Sequence, residues 1–249
     1  MDRISQVSLN TMRLLTDNQK ITASNLANLN TIGFRRDVNT NIGSAYLQDP
    51  NAYEDRVFAH RGDSGVDTSV SNLISTDRPL DIAISGPGFL VATNENGEKI
   101  LTRRGDMTVR ADGKIKLGDG SLVQGGGGDL VIPPHEKIEV GQDGTISYKP
   151  VGAEGNTLVP AGRIDLINIA ASNVVRGLDG YLRPKNGQFP ANDATVKIVN
   201  NSLETSNVNA VESMVEIIQI QRAYEMQIKL ISTAKDLDDQ TSKLMRSST

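Results

Sequence analysis

The sequence predicts an α+β fold. A long helix at each end pairs into a coiled-coil layer, and the centre is an antiparallel all-β domain. Three observations carry this. Residues 2–31 and 206–244 contain neither Gly nor Pro and place apolar side chains at three- and four-residue steps, the helical repeat. Residues 79–200 are short runs of Val, Ile and Leu, cut by turn dipeptides such as Asn96-Gly97, Asp112-Gly113 and Asp143-Gly144. No helical pattern separates those runs, which argues against a parallel βαβ arrangement.

Composition narrows the functions open to the chain. Its 249 residues carry 26 cations and 30 acidic groups, a formal net charge of −4. That leaves no cationic excess for a phosphate backbone, so nucleic acid is not an expected partner. Aromatic residues are 4% of the chain and Trp is absent, so the core must be aliphatic. There is no Cys, which excludes disulfides, thiolate metal sites and Cys nucleophiles. No apolar run approaches the roughly 20 residues of a membrane span, so no membrane insertion is expected. The opening Met1-Asp2-Arg3-Ile4 mixes polar with apolar residues and does not read as a cleavable secretory signal.

The elements follow in chain order. A helix is expected over about residues 3–31, closed by Gly33 as its C′ residue, within a first segment of residues 1–35. Residues 36–78 are polar and turn-rich, with Asp49-Pro50-Asn51 and Arg61-Gly62-Asp63, and read as an extended connector with little regular structure. Residues 79–200 form the β domain. Within it Arg110 to Lys114 makes a tight hairpin between Met107-Thr108-Val109 and Ile115-Lys116-Leu117. Residues 201–249 hold the second helix, Asn209 to Leu244, about 54 Å long at 1.5 Å per residue. Two apolar lines run along it. One is Met214, Ile217, Gln221, Tyr224, Ile228 and Ile231; the other is Ile220, Ala223, Gln227, Leu230, Ala234, Leu237, Thr241 and Leu244. A helix apolar on two sides needs two partners. The first helix can cover one side, and the other is left for a second molecule.

Catalytic chemistry finds no constellation to rest on. Gly125 to Gly128 is followed by Asp129 and a strand, where a phosphate loop needs Lys-Ser or Lys-Thr and a helix. Ser85-Gly86-Pro87-Gly88 lacks the spacing of a nucleophile elbow and reads as a turn. Asp236, Asp238 and Asp239 sit on a helix rather than a ligand loop and read as a solvated face. The two Arg-Gly-Asp tripeptides, at 61–63 and 104–106, read as turns. No enzyme activity, metal or cofactor is therefore expected.

Two segments carry a resemblance. Thr22-Ala23-Ser24-Asn25-Leu26-Ala27-Asn28-Leu29-Asn30-Thr31-Ile32-Gly33-Phe34-Arg35 resembles the N-terminal signature of the bacterial flagellar rod and hook family. Leu203-Glu204-Thr205-Ser206-Asn207-Val208-Asn209, with Met214, Ile217-Ile218 and Gln221-Arg222-Ala223-Tyr224-Glu225, resembles its C-terminal signature. Arg78 to Ile84, Gly88 to Val91 and Leu101 to Met107 agree in the right order. Within the family the chain looks most like the proximal-rod branch, with the distal-rod branch as the alternative and a dimeric β-domain binding module as a more remote one.

The resemblance implies a structural subunit of the basal-body rod. Its terminal helices would polymerise into the inner layer of a tubular drive shaft that carries torque from motor to hook. Implied partners are further copies, other proximal- and distal-rod proteins and the flagellar type III export apparatus; the implied location is the periplasmic rod. The expected assembly seam is Ile217, Tyr224, Ile228, Leu230, Ile231 and Leu237 on one helix with Val7, Leu15, Ile21 and Leu26 on the other. Asn28 and Phe34 join them from the N-terminal signature.

Overall fold

The computed structural model describes residues 2–39, 42–46, 57–61, 64–152 and 157–247. The Asp49-Pro50-Asn51 turn and Gly62-Asp63 of the first Arg-Gly-Asp tripeptide lie outside these residues. The chain divides into two compact units, one of residues 1–27, 37–64 and 209–249, the other of 28–36 and 65–208. The second unit thus takes in the residues just after the first helix as well as the central strands.

The helical unit contains α1 (Asp2–Ala27) and α2 (Ala210–Ser247), which pack against each other. α1 stops at Ala27 rather than near residue 31. The next residues satisfy themselves locally: the Asn28 carbonyl accepts the Thr31 N–H at 3.2 Å and its Oδ1 accepts the Thr31 hydroxyl at 3.1 Å. Asn side chains compete with the helix ladder in this way. The same unit holds an antiparallel hairpin of strands Ile42–Tyr46 and Val57–Arg61, in register from Ile42 opposite Arg61 to Tyr46 opposite Val57. Residues 36–78 also contain strands Asp37–Asn39, Ser64–Val66 and Leu73–Ser75. The expectation of little regular structure there is corrected; Ile42, Tyr46, Val57 and Phe58 are strong strand formers among turn-forming neighbours.

In the β unit every strand pairing among the described residues is antiparallel, as expected. The largest sheet has nine strands centred on Phe89–Thr93, which pairs with Lys99–Thr102, Leu122–Gly125 and Leu166–Ile167. A second, three-stranded sheet runs His135–Val140, Thr145–Pro150 and Val159–Arg163. The 107–117 hairpin forms as read, with Val109 opposite Ile115 and Thr108 opposite Lys116. The four glycines make a turn: Gly126 and Gly127 sit at φ of 65° and 91°, which only glycine adopts readily, and Gly125 pairs with Gly128. The core is aliphatic, with Ile82, Ile84, Leu90, Ile100, Ile115, Leu117 and Ile146 each no more than 1% exposed.

No described helix is long and apolar enough to cross a membrane. Cutting Ile100 to Ala removes fully buried methyl groups from the main cluster and should cost about 2–5 kcal/mol. Urea unfolding of the full chain measures this, and an unchanged midpoint would contradict the core assignment.

Candidate assembly interface

α2 begins where its cap allows. The Asn209 side-chain oxygen accepts the N–H of Val211 at 3.0 Å and of Glu212 at 3.3 Å, filling two donors that the first turn cannot satisfy. Glu212 adds a carboxylate at the positive end of the helix dipole. The positions that α2 hides from solvent run Ser213, Ile217, Ile220, Ala223, Gln227, Ile231 and Ala234. Of these Ser213, Ile220 and Ala234 are fully buried. On α1 the buried positions are Ser8, Thr22 and Asn25. Small and polar side chains thus share the hidden line of α2 with Ile217, Ile220 and Ile231 and make up the fully buried positions of α1.

The predicted seam divides accordingly. Ile217 and Ile231 lie on the hidden line of α2, and Leu15, Ile21 and Leu26 are half-buried on α1. Val7, Tyr224, Ile228, Leu230 and Leu237 are 37 to 52% exposed. The packed line combines the two drawn from spacing: Ile220, Ala223, Gln227 and Ala234 come from the second and Ile217 and Ile231 from the first. Around the helix, at 3.6 residues per turn, Met214 and Ile228 flank it on one side and Met226, Leu230 and Leu237 on the other. All five are 49 to 58% exposed. The helix hides three isoleucines among small and polar side chains and leaves further large apolar ones beside them.

Polar contacts tie α1 to the chain that follows. The Asn25 amide donates to the carbonyl of Asp37 at 2.9 Å and its oxygen accepts the Asp37 N–H at 2.9 Å, so one side chain imitates a strand neighbour. The Asn39 amide donates to the Asn18 side-chain oxygen.

Asn28 and Phe34 belong to the β unit. Phe34 is half-buried, and the Arg176 guanidinium lies 4.6 Å from the centre of its ring, a cation–π contact that already engages it within the chain.

Beside Phe34 lies a cluster that composition gave no hint of. Glu204 is completely buried between Arg35 and Arg103, each 1% exposed. Arg103 Nη1 donates to both carboxylate oxygens at 2.9 and 2.8 Å, and Arg35 Nη2 donates to Oε1. The Ser71 N–H adds a third donor group at 2.8 Å. Two cations facing one anion leave a positive excess, which carbonyls absorb: Arg103 donates to the carbonyls of Gly86 and Gly88, and Arg35 to that of Phe34. Burial pulls the Arg103 guanidinium below its ordinary pKa, and the Glu204 charge opposes that pull. The 85–88 turn is therefore an acceptor cradle as well as a link between strands.

Gly33 explains its own identity here. It is not the cap of α1, which ends six residues earlier at Ala27. It sits at φ 68°, its N–H donates to the Glu204 carbonyl at 2.8 Å, and a Cβ at this position would lie 2.4 Å from the Arg103 carbonyl carbon. Among the described residues no group of three His, Asp or Glu is placed to hold a metal ion.

Known proteins share these segments. The profile described as flagella basal body rod protein matches residues 6–35. The flagellar hook protein FlgE/F/G D1 domain matches residues 83–148. The flagellar basal body rod FlgEFG protein C-terminal region matches residues 199–244. The flagellar basal-body rod proteins FlgF of Salmonella typhimurium and Escherichia coli are each 32% identical to the chain over 251 residues, spanning 98% of it and 99% of themselves. The chain belongs to the flagellar basal-body rod protein family. FlgG of Caulobacter vibrioides is 29% identical over 249 residues, or 91% of the chain and 93% of its own length.

In this rod-family chain the buried cluster takes one residue from each matched segment: Arg35 from the first, Arg103 from the second and Glu204 from the third. All three stand within the motifs that carry the family resemblance, and none is expected to be buried from its type alone, because charged residues are ordinarily exposed. The one available signal was their place inside otherwise apolar or turn-forming signatures. Replacing Glu204 by Gln keeps the shape and removes the carboxylate that faces the two arginines. This leaves buried guanidinium charge uncompensated and should cost about 3–5 kcal/mol. A urea midpoint equal to the parent's would contradict the clamp.

Proposed function

We propose that this rod-family protein is a structural subunit of the flagellar basal-body rod, of the proximal type, which assembles through its terminal helices into a coiled-coil inner layer. The observation that carries this reading is the surface of α2: large apolar side chains at Met214, Ile228, Leu230 and Leu237 stand about half exposed on both flanks of the line it already hides. A soluble helix gains nothing by presenting such flanks to water; covering them against neighbouring helices removes apolar area worth about 25 cal/mol per Å2. Contacts between different faces of successive copies, with a rotation that does not close, produce an open helical array rather than a ring. Close-packed side chains compress little, so such an array carries torque as shear between helices. Partners in this reading are further copies, other rod proteins and the flagellar type III export apparatus, and the assembled rod stands in the periplasm. The near full-length likeness to FlgF of two species supports the proximal assignment. The distal type remains the other branch, given the likeness to FlgG.

The reading separates two stabilities. The β unit holds a closed aliphatic core, whereas the helical unit leaves apolar flanks uncovered until assembly. In the isolated protein, amide hydrogen exchange should be fast over residues 2–27 and 210–247 and slow over 82–200; uniform protection of a monomer would contradict this. In cells, Ile228→Asp should leave the protein folded and exported but abolish motility. Normal swimming by that variant would remove the flank from the assembly.

A further inference from the structure

Several charges of α2 stand outside the ion pairs of its own chain. Glu225, Lys229, Lys235, Asp236 and Asp239 are all exposed. Among the described residues no ion pair involves any of them. Glu225 and Lys229 stand four positions apart, as do Lys235 and Asp239, the spacing at which a helix facing water pairs its own charges. A solvated face needs no more than that. These charges also follow a longer repeat, which a solvated face does not require.

At about 100° of rotation per residue, two stripes run along the exposed side of the helix. One is Met214, Ile218, Glu225, Lys229 and Asp236; the other is Tyr224, Ile228, Lys235, Asp239 and Arg246. Each member of the second stripe lies ten positions beyond its counterpart in the first. The stripes therefore share one spacing and stand about 80° apart around the helix. Position by position they are complementary. Met214 answers Tyr224 and Ile218 answers Ile228, side chains that are 37 to 54% exposed. Glu225 answers Lys235, Lys229 answers Asp239 and Asp236 answers Arg246, each charge meeting its opposite.

We propose that the α2 helices of neighbouring copies lie side by side and parallel, displaced by ten residues, about 15 Å along the axis. The stripe from Met214 to Asp236 of one copy then lies against the stripe from Tyr224 to Arg246 of the next. Charges beside an apolar seam fix register and partner in this way. The displacement is selective. At seven residues, the heptad step, Ile218 would meet Glu225 and Arg222 would meet Lys229. Seven residues are also almost two whole turns, so the first stripe would face itself and the contact would be used up between two copies. At ten residues two different faces meet. Each copy then keeps one face for the copy before it and one for the copy after, the heterologous contact from which an open array grows. The stagger rests on the rod reading, which supplies parallel copies.

The chain has no Cys, so one full-length variant can carry Ile218→Cys and Ile228→Cys as its only thiols. Within a copy these positions stand about 15 Å apart on one helix, too far for a disulfide, which needs Cα atoms within about 4.4–6.8 Å. Mild oxidation of swimming cells is expected to give covalent dimers and longer species, well above the yield when Leu230→Cys, on the other flank, replaces Ile228→Cys. As a second measurement, Glu225→Lys and Lys235→Glu should each reduce swimming, and a chain carrying both should recover it. Glu225→Lys with Lys229→Glu restores the pair within one helix but not the pair between copies, and should not recover it. The cysteine variants leave every charge in place, so they decide the matter if a reversal stops export. A yield equal to the control, unchanged swimming in both single reversals, or recovery by the 225/229 exchange in place of the 225/235 exchange each overturns the stagger while the rod reading stands. A 218–228 link confined to a soluble two-chain complex would keep the stagger and overturn the rod reading.

Discussion

The β unit of this protein is organised around one buried carboxylate. Glu204 sits at zero exposure between Arg35 and Arg103, and every group it touches comes from a different stretch of chain. Removing an ion of this kind from water costs several kcal/mol, repaid only if its partners are fixed in place. They are: Gly33 lets the residues after α1 approach the Arg103 backbone, and Gly86 and Gly88 turn their carbonyls to the Arg103 guanidinium. The cluster therefore pins the chain immediately after α1 and immediately before α2 to the β unit. It does so with charge and geometry rather than with a large apolar contact. Through it, two segments from opposite ends of the chain, at Arg35 and Glu204, are held together with Arg103.

The helical unit follows the opposite logic. Its hidden lines are built from Ser, Thr, Asn, Ala and Gln as much as from Ile, and Met214, Met226, Ile228, Leu230 and Leu237 stand outside them. Ordering a helix of 38 residues fixes a great deal of backbone freedom, and small buried side chains return little of it. The balance closes when the flanks are covered by neighbours.

Much of this was legible in the sequence. α2 was readable because Gly and Pro are absent and Asn209 caps it; the hairpin at 107–117 was readable because Asp112-Gly113 supplies its turn. α1 was read too long because Asn28 and Thr31 close their own turn, a local competition that periodicity does not register. The hairpin 42–61 was hidden by polar, turn-forming neighbours. The packed line of α2 draws four residues, Ile220, Ala223, Gln227 and Ala234, from one expected line and Ile217 and Ile231 from the other, and only Ser213 lay on neither. Arg35, Arg103 and Glu204 were invisible as a group: three charges far apart in sequence carry no sign that they meet in a dry site. Gly33 was identified as special but given the wrong task, since its close neighbour lies in the β unit and not in the helix before it.

The central claim is that α2 presents apolar flanks made for other subunits. An image of the assembled rod at side-chain resolution tests it most directly. The account predicts that Met214, Ile228, Leu230 and Leu237 lie against helices of neighbouring subunits, with their exposure lost. The account is contradicted if those four side chains face solvent in the assembled rod while subunits meet only through their β units.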